Sequence, residues 1–308
     1  MSFDLIEDVK KLQEIIKGKS KDKDDNEVIK LITSHSNEER LKIKSEYNTS
    51  YNSDLIADLK SAYSGDFKDV LVGLFYSPLD YDCYQIRKAV KGLGTDEAAL
   101  IEILSTRDSE KIEKMKLRYK EMFPGHEMET DIKNDTSGSF WTVLKALLEN
   151  KRSLNTNPDL DECKNLAQKL YDSLNNKKNN TEIFSEILTQ KSKEEIATIG
   201  KIYHKISKSN ILEDIKKVFS GDTKKIFVGI IYAVLSPSEY FAELVHDAVK
   251  GLGTKDRTLK RIIISREEID MPQIKQFYKQ KFNKDMIEDI KDDTSGSYQK
   301  ILVTLATH

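Results

Sequence analysis

Apolar residues recur along this chain at steps of three and four. Ile112, Met115, Tyr119 and Met122 form one stripe, and Phe140, Val143, Leu144, Leu147 and Leu148 form another. That spacing puts them on one face of a helix, and strand-type alternation is sustained nowhere. Trp141 stands three and seven positions before Leu144 and Leu148, which assigns it to the same core-facing side. Ser36 with Glu39, and Ser192 with Glu195, have the S-x-x-E form of a capping box and predict helix starts half a chain apart. Breaks at glycine, proline and polar clusters divide the remainder into short helices, so the expected fold is all-α.

The two halves are copies. Ser64-Gly65-Asp66 with Val72-Gly73 returns as Ser220-Gly221-Asp222 with Val228-Gly229, an offset of 156. Lys91-Gly92-Leu93-Gly94-Thr95 returns as Lys250 to Thr254 at an offset of 159, and Asp135 to Ser139 returns as Asp293 to Ser297 at an offset of 158. Three blocks in nearly one register are the mark of an internal repeat. Pro78, Pro158 and Pro237 fall 80 and 79 residues apart and divide each half again. Four repeats of about five helices each are expected, over residues 1–77, 78–157, 158–236 and 237–308.

Composition narrows the function. Lys plus Arg at 50 against Asp plus Glu at 52 leaves no global basic field for nucleic acid, so any attraction to anions is local. Two cysteines, Cys83 and Cys163, are too few for a disulfide framework, and Met1-Ser2-Phe3-Asp4 begins no apolar signal region. No apolar run approaches the ~20 residues that span a bilayer. Ser2 stands where myristoylation needs glycine, and His308 ends the chain without a prenylation cysteine. A cytoplasmic protein that meets membranes reversibly and peripherally is expected. Walker spacing fails at Gly18-Lys19-Ser20, where Gln13 replaces the leading glycine, and no G-x-S-x-G, H-E-x-x-H or C-x-x-C occurs. The chain is expected not to be an enzyme.

The chemistry sits in Val90-Lys91-Gly92-Leu93-Gly94-Thr95-Asp96-Glu97, between two apolar helices. By itself this is a turn, with a left-handed glycine after one helix and Thr95 capping the next. Both copies also keep an acidic block at a fixed distance, Asp135 lying 40 residues after Thr95 and Asp293 lying 39 after Thr254. Glycines let neighbouring carbonyl oxygens converge, and a carboxylate from another loop completes a cage of hard oxygen ligands. Such a cage suits Ca2+, and with one carboxylate it binds weakly, on the order of 10⁻⁴ M or poorer in free solution. Its open positions are left for water or lipid phosphate.

K-G-L-G-T followed by D-T-S-G within four units of this length resembles the annexin family, over essentially the whole chain and most closely in the fourth unit. The resemblance implies four five-helix repeats in a curved disc, with calcium loops on its convex face gripping acidic, phosphatidylserine-like headgroups. It implies one site from the carbonyls of Val90, Gly92 and Gly94 with a bidentate Asp135, and another from Val249, Gly251, Gly253 and Asp293. Thr95 with Glu97, and Thr254 with Asp256, resemble the family's weaker accessory site. The second unit carries one extra residue near Pro124-Gly125. In the first and third units the acidic place falls on Ala62 and near Val218, so both main sites are expected to be lost. Gly65-Asp66 and Gly221-Asp222 read as plain turns or as minor calcium sites.

Several further readings stay open on the sequence. Lys17, Lys19, Lys21, Lys23, Lys177 and Lys178 stand where the odd units have lost their calcium loops and either touch lipid phosphate or sit in solvated loops. Asp22, Asp24 and Asn26 begin an EF-hand match that fails at Glu27 and Thr33. Leu93 and Leu252, flanked by Lys91 and Lys250, are either membrane-contacting tips or packing residues. The five histidines show no ligand spacing, and Arg107 and Arg266 end equivalent helices where internal ion pairs are expected. A helical-repeat scaffold without calcium, cytoskeleton-associated or self-associating, is the rival account.

Overall fold

The structure, a computed structural model, describes residues 3–18, 25–175, 181–251 and 253–307. Among these residues there are twenty helices and no strand. They fall into four sets of five, α1–α5, α6–α10, α11–α15 and α16–α20. The helices that open the second and fourth sets, α6 (Pro78–Val90) and α16 (Pro237–Val249), begin on proline, whose missing N–H costs nothing in a first turn. α3 (Asn37–Tyr51) and α13 (Lys193–Ser207) both start with complete capping boxes, Ser36 with Glu39 and Ser192 with Glu195. No helix among the described residues is long and apolar enough to cross a membrane.

Two compact units result. Unit 1 joins Met1–Tyr81 with Phe241–His308, and unit 2 is Asp82–Tyr240. Each is glued by the apolar stripes of its short helices, and each fully buried Leu or Ile contributes roughly 1.5–3 kcal/mol. In α8 (Ser109–Met122) the stripe buries Ile112, Met115 and Tyr119. In α10 (Gly138–Glu149) it buries Val143, Leu144, Leu147 and Leu148. Trp141 departs from expectation: with Phe140 it is half-buried, because both lie in the first turn of α10, beyond the end of the buried stripe.

The repeated Val-Gly pairs mark close helix crossings. In unit 1, Gly73 on α5 (Gly65–Leu74) lies under α17 (Asp256–Arg266), where a Cβ would meet Ile264 Cδ1 at 2.8 Å and Tyr81 at 3.0 Å. In unit 2, Gly229 on α15 (Gly221–Leu235) lies under α7 (Glu97–Thr106), where a Cβ would meet Tyr240 Oη at 2.9 Å and Ile101 Cγ2 at 3.0 Å. Glycine costs a helix about 1 kcal/mol relative to alanine, so these two positions keep it for space. Gly73→Val is expected to destabilise by about 2–3 kcal/mol through overpacking, read as a lower urea midpoint, while Gly200→Val, which meets no atom within 4 Å, should not.

Candidate calcium loops

Each set carries an eight-residue fourth helix: α4 (Leu55–Ala62), α9 (Met128–Asp135), α14 (Ile211–Val218) and α19 (Met286–Asp293). The last residue of each is the place assigned to the acidic ligand. It is aspartate in the second and fourth sets and Ala62 or Val218 in the others.

The loop from α6 to α7 is closed at its neck by Asp96 N–H to Ala89 O at 2.9 Å, and its counterpart by Lys255 N–H to Ala248 O at 2.8 Å. Between the necks the backbones match: Gly92 and Gly94 have φ of 119° and 81°, Gly251 and Gly253 of 123° and 81°. A Cβ at any of the four would meet nothing within 4 Å. The glycines are therefore required by positive φ, which side chains with a Cβ resist, and not by crowding. Among the described residues no hydrogen bond reaches the carbonyls of Val90, Gly92, Gly94, Val249, Gly251 or Gly253.

The threonine ending each loop ties it to the acidic helix. Thr95 Oγ1 donates to Asp135, 2.9 Å from its main-chain O and 2.6 Å from Oδ2, and Thr254 Oγ1 donates to Asp293 O at 2.8 Å. Thr95 is therefore not the cap of α7. That cap is Asp96, which accepts from Ala99 N–H, while the threonine hydroxyl turns outward to the remote helix end. Two helix C-termini and a carboxylate meet at each loop. Each helix end carries roughly half a negative charge, so the place favours a cation. Asp293 Oδ2 makes the need explicit: it is buried and, among the described residues, has no hydrogen-bond partner. No cluster of three His, Cys, Asp or Glu that could hold a metal exists among the described residues. A cation in these loops would draw mainly on main-chain oxygen, which suits a hard ion such as Ca2+.

Glu97 and Asp256 are half-buried first residues of α7 and α17. Burial raises the Asp256 pKa, the nearby Tyr298 hydroxyl lowers it, and the charge of Asp66 raises it again, with a net upward shift. Asp66 itself pairs with Lys260, and Asp222 with Lys225 at 2.9 Å. Leu93 is 108% exposed, which removes the packing alternative for it. Lys91 and Lys250 are exposed as well, while Leu252 lies outside the described residues. So do Lys19, Lys21, Lys23, Lys177 and Lys178, and Asp22 and Asp24. Lys17 reaches over the Tyr51 ring at 5.9 Å. Residues 25–33 are helix α2 (Asp25–Thr33), so the second half of the EF-hand match is not a loop.

One positioning device escapes a motif search. A tyrosine of each third helix donates to an aspartate of each fourth: Tyr47 to Asp58 at 2.9 Å, Tyr119 to Asp131 at 2.7 Å, Tyr203 to Asp214 at 2.9 Å, and Tyr278 to Asp289 at 2.6 Å. Asp131 and Asp289 sit one turn before Asp135 and Asp293, so the bond fixes the helix that carries the candidate acidic ligand. The signal was a Tyr-to-Asp spacing of 11 in three sets and 12 in the second. The extra residue is absorbed between α8 and α9, where Gly125 takes φ of 84°, and Asp135 keeps its place. Histidines support this layer: His126 Nδ1 is 3.2 Å from Asp131 Oδ1, and His246 is 3.2 Å from Tyr278 Oη while stacked on Phe282. Tyr278→Phe is expected to cost about 1–2 kcal/mol and to weaken calcium binding a few-fold; Tyr203→Phe should cost as much stability and leave calcium titrations unchanged.

The annexin family model matches residues 7–74, 81–147, 165–230 and 240–305. The chain belongs to the annexin family. Annexins are known as calcium-dependent phospholipid-binding proteins and are generally non-enzymatic. Human annexin A11 is 36% identical over 304 residues, covering 98% of this chain and 60% of that protein. This annexin thus spans about 60% of the length of that relative. Chicken annexin V in complex with Zn2+ superposes with a TM-score of 0.93 at 32% identity, covering 99% of this chain and 95% of the other. Calcium-bound annexin (Sm)1 superposes with a TM-score of 0.81 at 27% identity, covering 99% and 90%.

Proposed function

We propose that this annexin binds acidic, phosphatidylserine-like phospholipid surfaces reversibly when calcium is raised, acting as a binding protein and not as an enzyme. The single observation that carries the reading is the buried, unpartnered Oδ2 of Asp293 beside a threonine-tied glycine loop. Family membership and a calcium-bound structural relative support the choice of ion. The carbonyls of Val90, Gly92 and Gly94 with the Asp135 carboxylate would hold one Ca2+, and Val249, Gly251, Gly253 and Asp293 another. Bound there, Ca2+ supplies positive charge and open coordination positions that lipid phosphate oxygens fill. Thr95 with Glu97 and Thr254 with Asp256 form the weaker accessory places.

Leu93, flanked by Lys91, reaches the interface as an apolar tip. In the other loop, the exposed Lys250 stands at the place of Lys91. Co-sedimentation with phosphatidylserine vesicles tests the whole. Binding is expected in calcium, absent in chelator and absent on phosphatidylcholine; sedimentation indifferent to chelator would favour a calcium-free scaffold instead. Leu93→Asp should weaken binding by about tenfold through lost apolar burial and added repulsion, with an unchanged melting temperature.

A further inference from the structure

Unit 2 contains a cavity of about 320 Å³, at the end of α7 away from the α6–α7 loop, lined by Leu104, Ile112, Leu147, Leu154, Arg107 and Arg152 among others. The two arginines differ in what their charge meets. Arg107 is spent on Asp82, through Nε at 2.8 Å and Nη2 at 2.7 Å. Arg152 has no such partner: Nη1 donates to Lys191 O at 2.7 Å and Nη2 to Leu188 O at 2.9 Å, at the end of α12 (Thr181–Gln190). That cap uses two of its five N–H donors, and the helix end offsets only part of a unit charge.

Among the described residues no carboxylate pairs with Arg152. The acids lining the same cavity are engaged elsewhere, Asp108 with Lys111 N–H at 2.8 Å and Glu110 with Lys114 at 2.5 Å. Burial pulls the Arg152 pKa down to about 10. A guanidinium partly removed from water without a counter-charge favours any anion that can reach it. Leu104, Ile112 and Leu147 are buried, and Leu154, 89% exposed, marks the solvent side.

We propose that this cavity binds a small amphiphilic carboxylate of the medium-chain fatty-acid kind, its head on Arg152 and its apolar body against Leu104, Ile112 and Leu147. The volume stands near the lower end for small-molecule sites, which limits the length of the chain. No calcium is involved, so the site is independent of the loops.

Calorimetric titration of octanoate into the full chain in chelator tests the assignment, with octanol as the neutral-headed control. Saturable one-site binding of octanoate is expected, with octanol at least about fivefold weaker. Leu154→Asp puts a negative charge beside the cavity at an exposed position and should weaken octanoate at least about fivefold without changing the fold. Arg152→Gln should do the same, and because Arg152 also caps α12, Leu154→Asp is the variant that separates charge from folding. No saturation by wild type up to ~10 mM, equal affinity for octanol, or wild-type affinity in Leu154→Asp would each overturn the proposal.

Discussion

Asp293→Ala is expected to raise the calcium concentration needed for half-maximal vesicle binding by about tenfold or more, since it removes the one carboxylate of its cage. In chelator, the same variant should be as stable as the parent or more so. The reason is the condition of Asp293 Oδ2, buried with no partner among the described residues. An unsatisfied buried acceptor costs about 1–3 kcal/mol, more when charged. The apo protein bears that cost, and alanine relieves it. A residue whose removal stabilises the empty protein and abolishes the calcium-induced rise in melting temperature is present for the ion. Asp135→Ala should weaken calcium-dependent binding comparably or less, and should not stabilise in chelator, because Asp135 Oδ2 already takes the Thr95 hydroxyl at 2.6 Å. The double variant should fail to sediment. Calcium titrations unmoved by Asp293→Ala, or a clear loss of apo stability, would contradict the proposed cage.

Local chemistry made much of this legible in the sequence. The capping boxes at Ser36 and Ser192 encode their own helix starts, and the glycine pattern of the two loops encodes their positive φ, since both are decided by neighbours a few residues away. The pairing of loop and acidic block was legible only because duplication displayed it twice. What escaped was set by groups distant in the chain. Thr95 looked like a helix cap, and only the fold shows its hydroxyl drawn to a residue 40 positions on while Asp96 takes the capping role. The Val-Gly repeats carried no sign of the opposing Ile264 or Ile101 that make a Cβ intolerable. Trp141 satisfied the helical period yet fell outside the buried stripe, because periodicity names a face without saying how far along the helix its partner extends.

The duplicated arginines show the same dependence on partners, and they set the second large effect. Arg107 and Arg266 are equivalent at the offset of 159 that relates the two loops, and at that offset Asp82 corresponds to Phe241. In unit 2 the pair is ionic and buried: Asp82 is 2% exposed, and Lys111 adds a contact at 3.0 Å. Burial would raise the Asp82 pKa, but Arg107 and Lys111 outweigh it and hold the carboxyl below its ordinary value. In unit 1, Arg266 instead lies over the Phe241 ring at 4.5 Å and pairs with Asp270 at 2.7 Å. Asp82→Ala strands a buried guanidinium and is expected to cost about 3–5 kcal/mol. Arg107→Ala should cost somewhat less, because Lys111 still reaches the carboxylate. Phe241→Leu keeps the apolar volume and loses only the cation–π contact, about 0.5–2 kcal/mol. The pH dependence follows in sign: a depressed folded pKa gives stability that is present above the unfolded value of about 3.9 and is lost as pH falls through the folded one. Acid unfolding of the parent should therefore be steeper below pH ~4 than that of Asp82→Asn. In a double-mutant cycle by urea denaturation, Asp82→Leu with Arg107→Met should recover most of the loss of either single variant; additive losses would mean that the two side chains stabilise the unit independently.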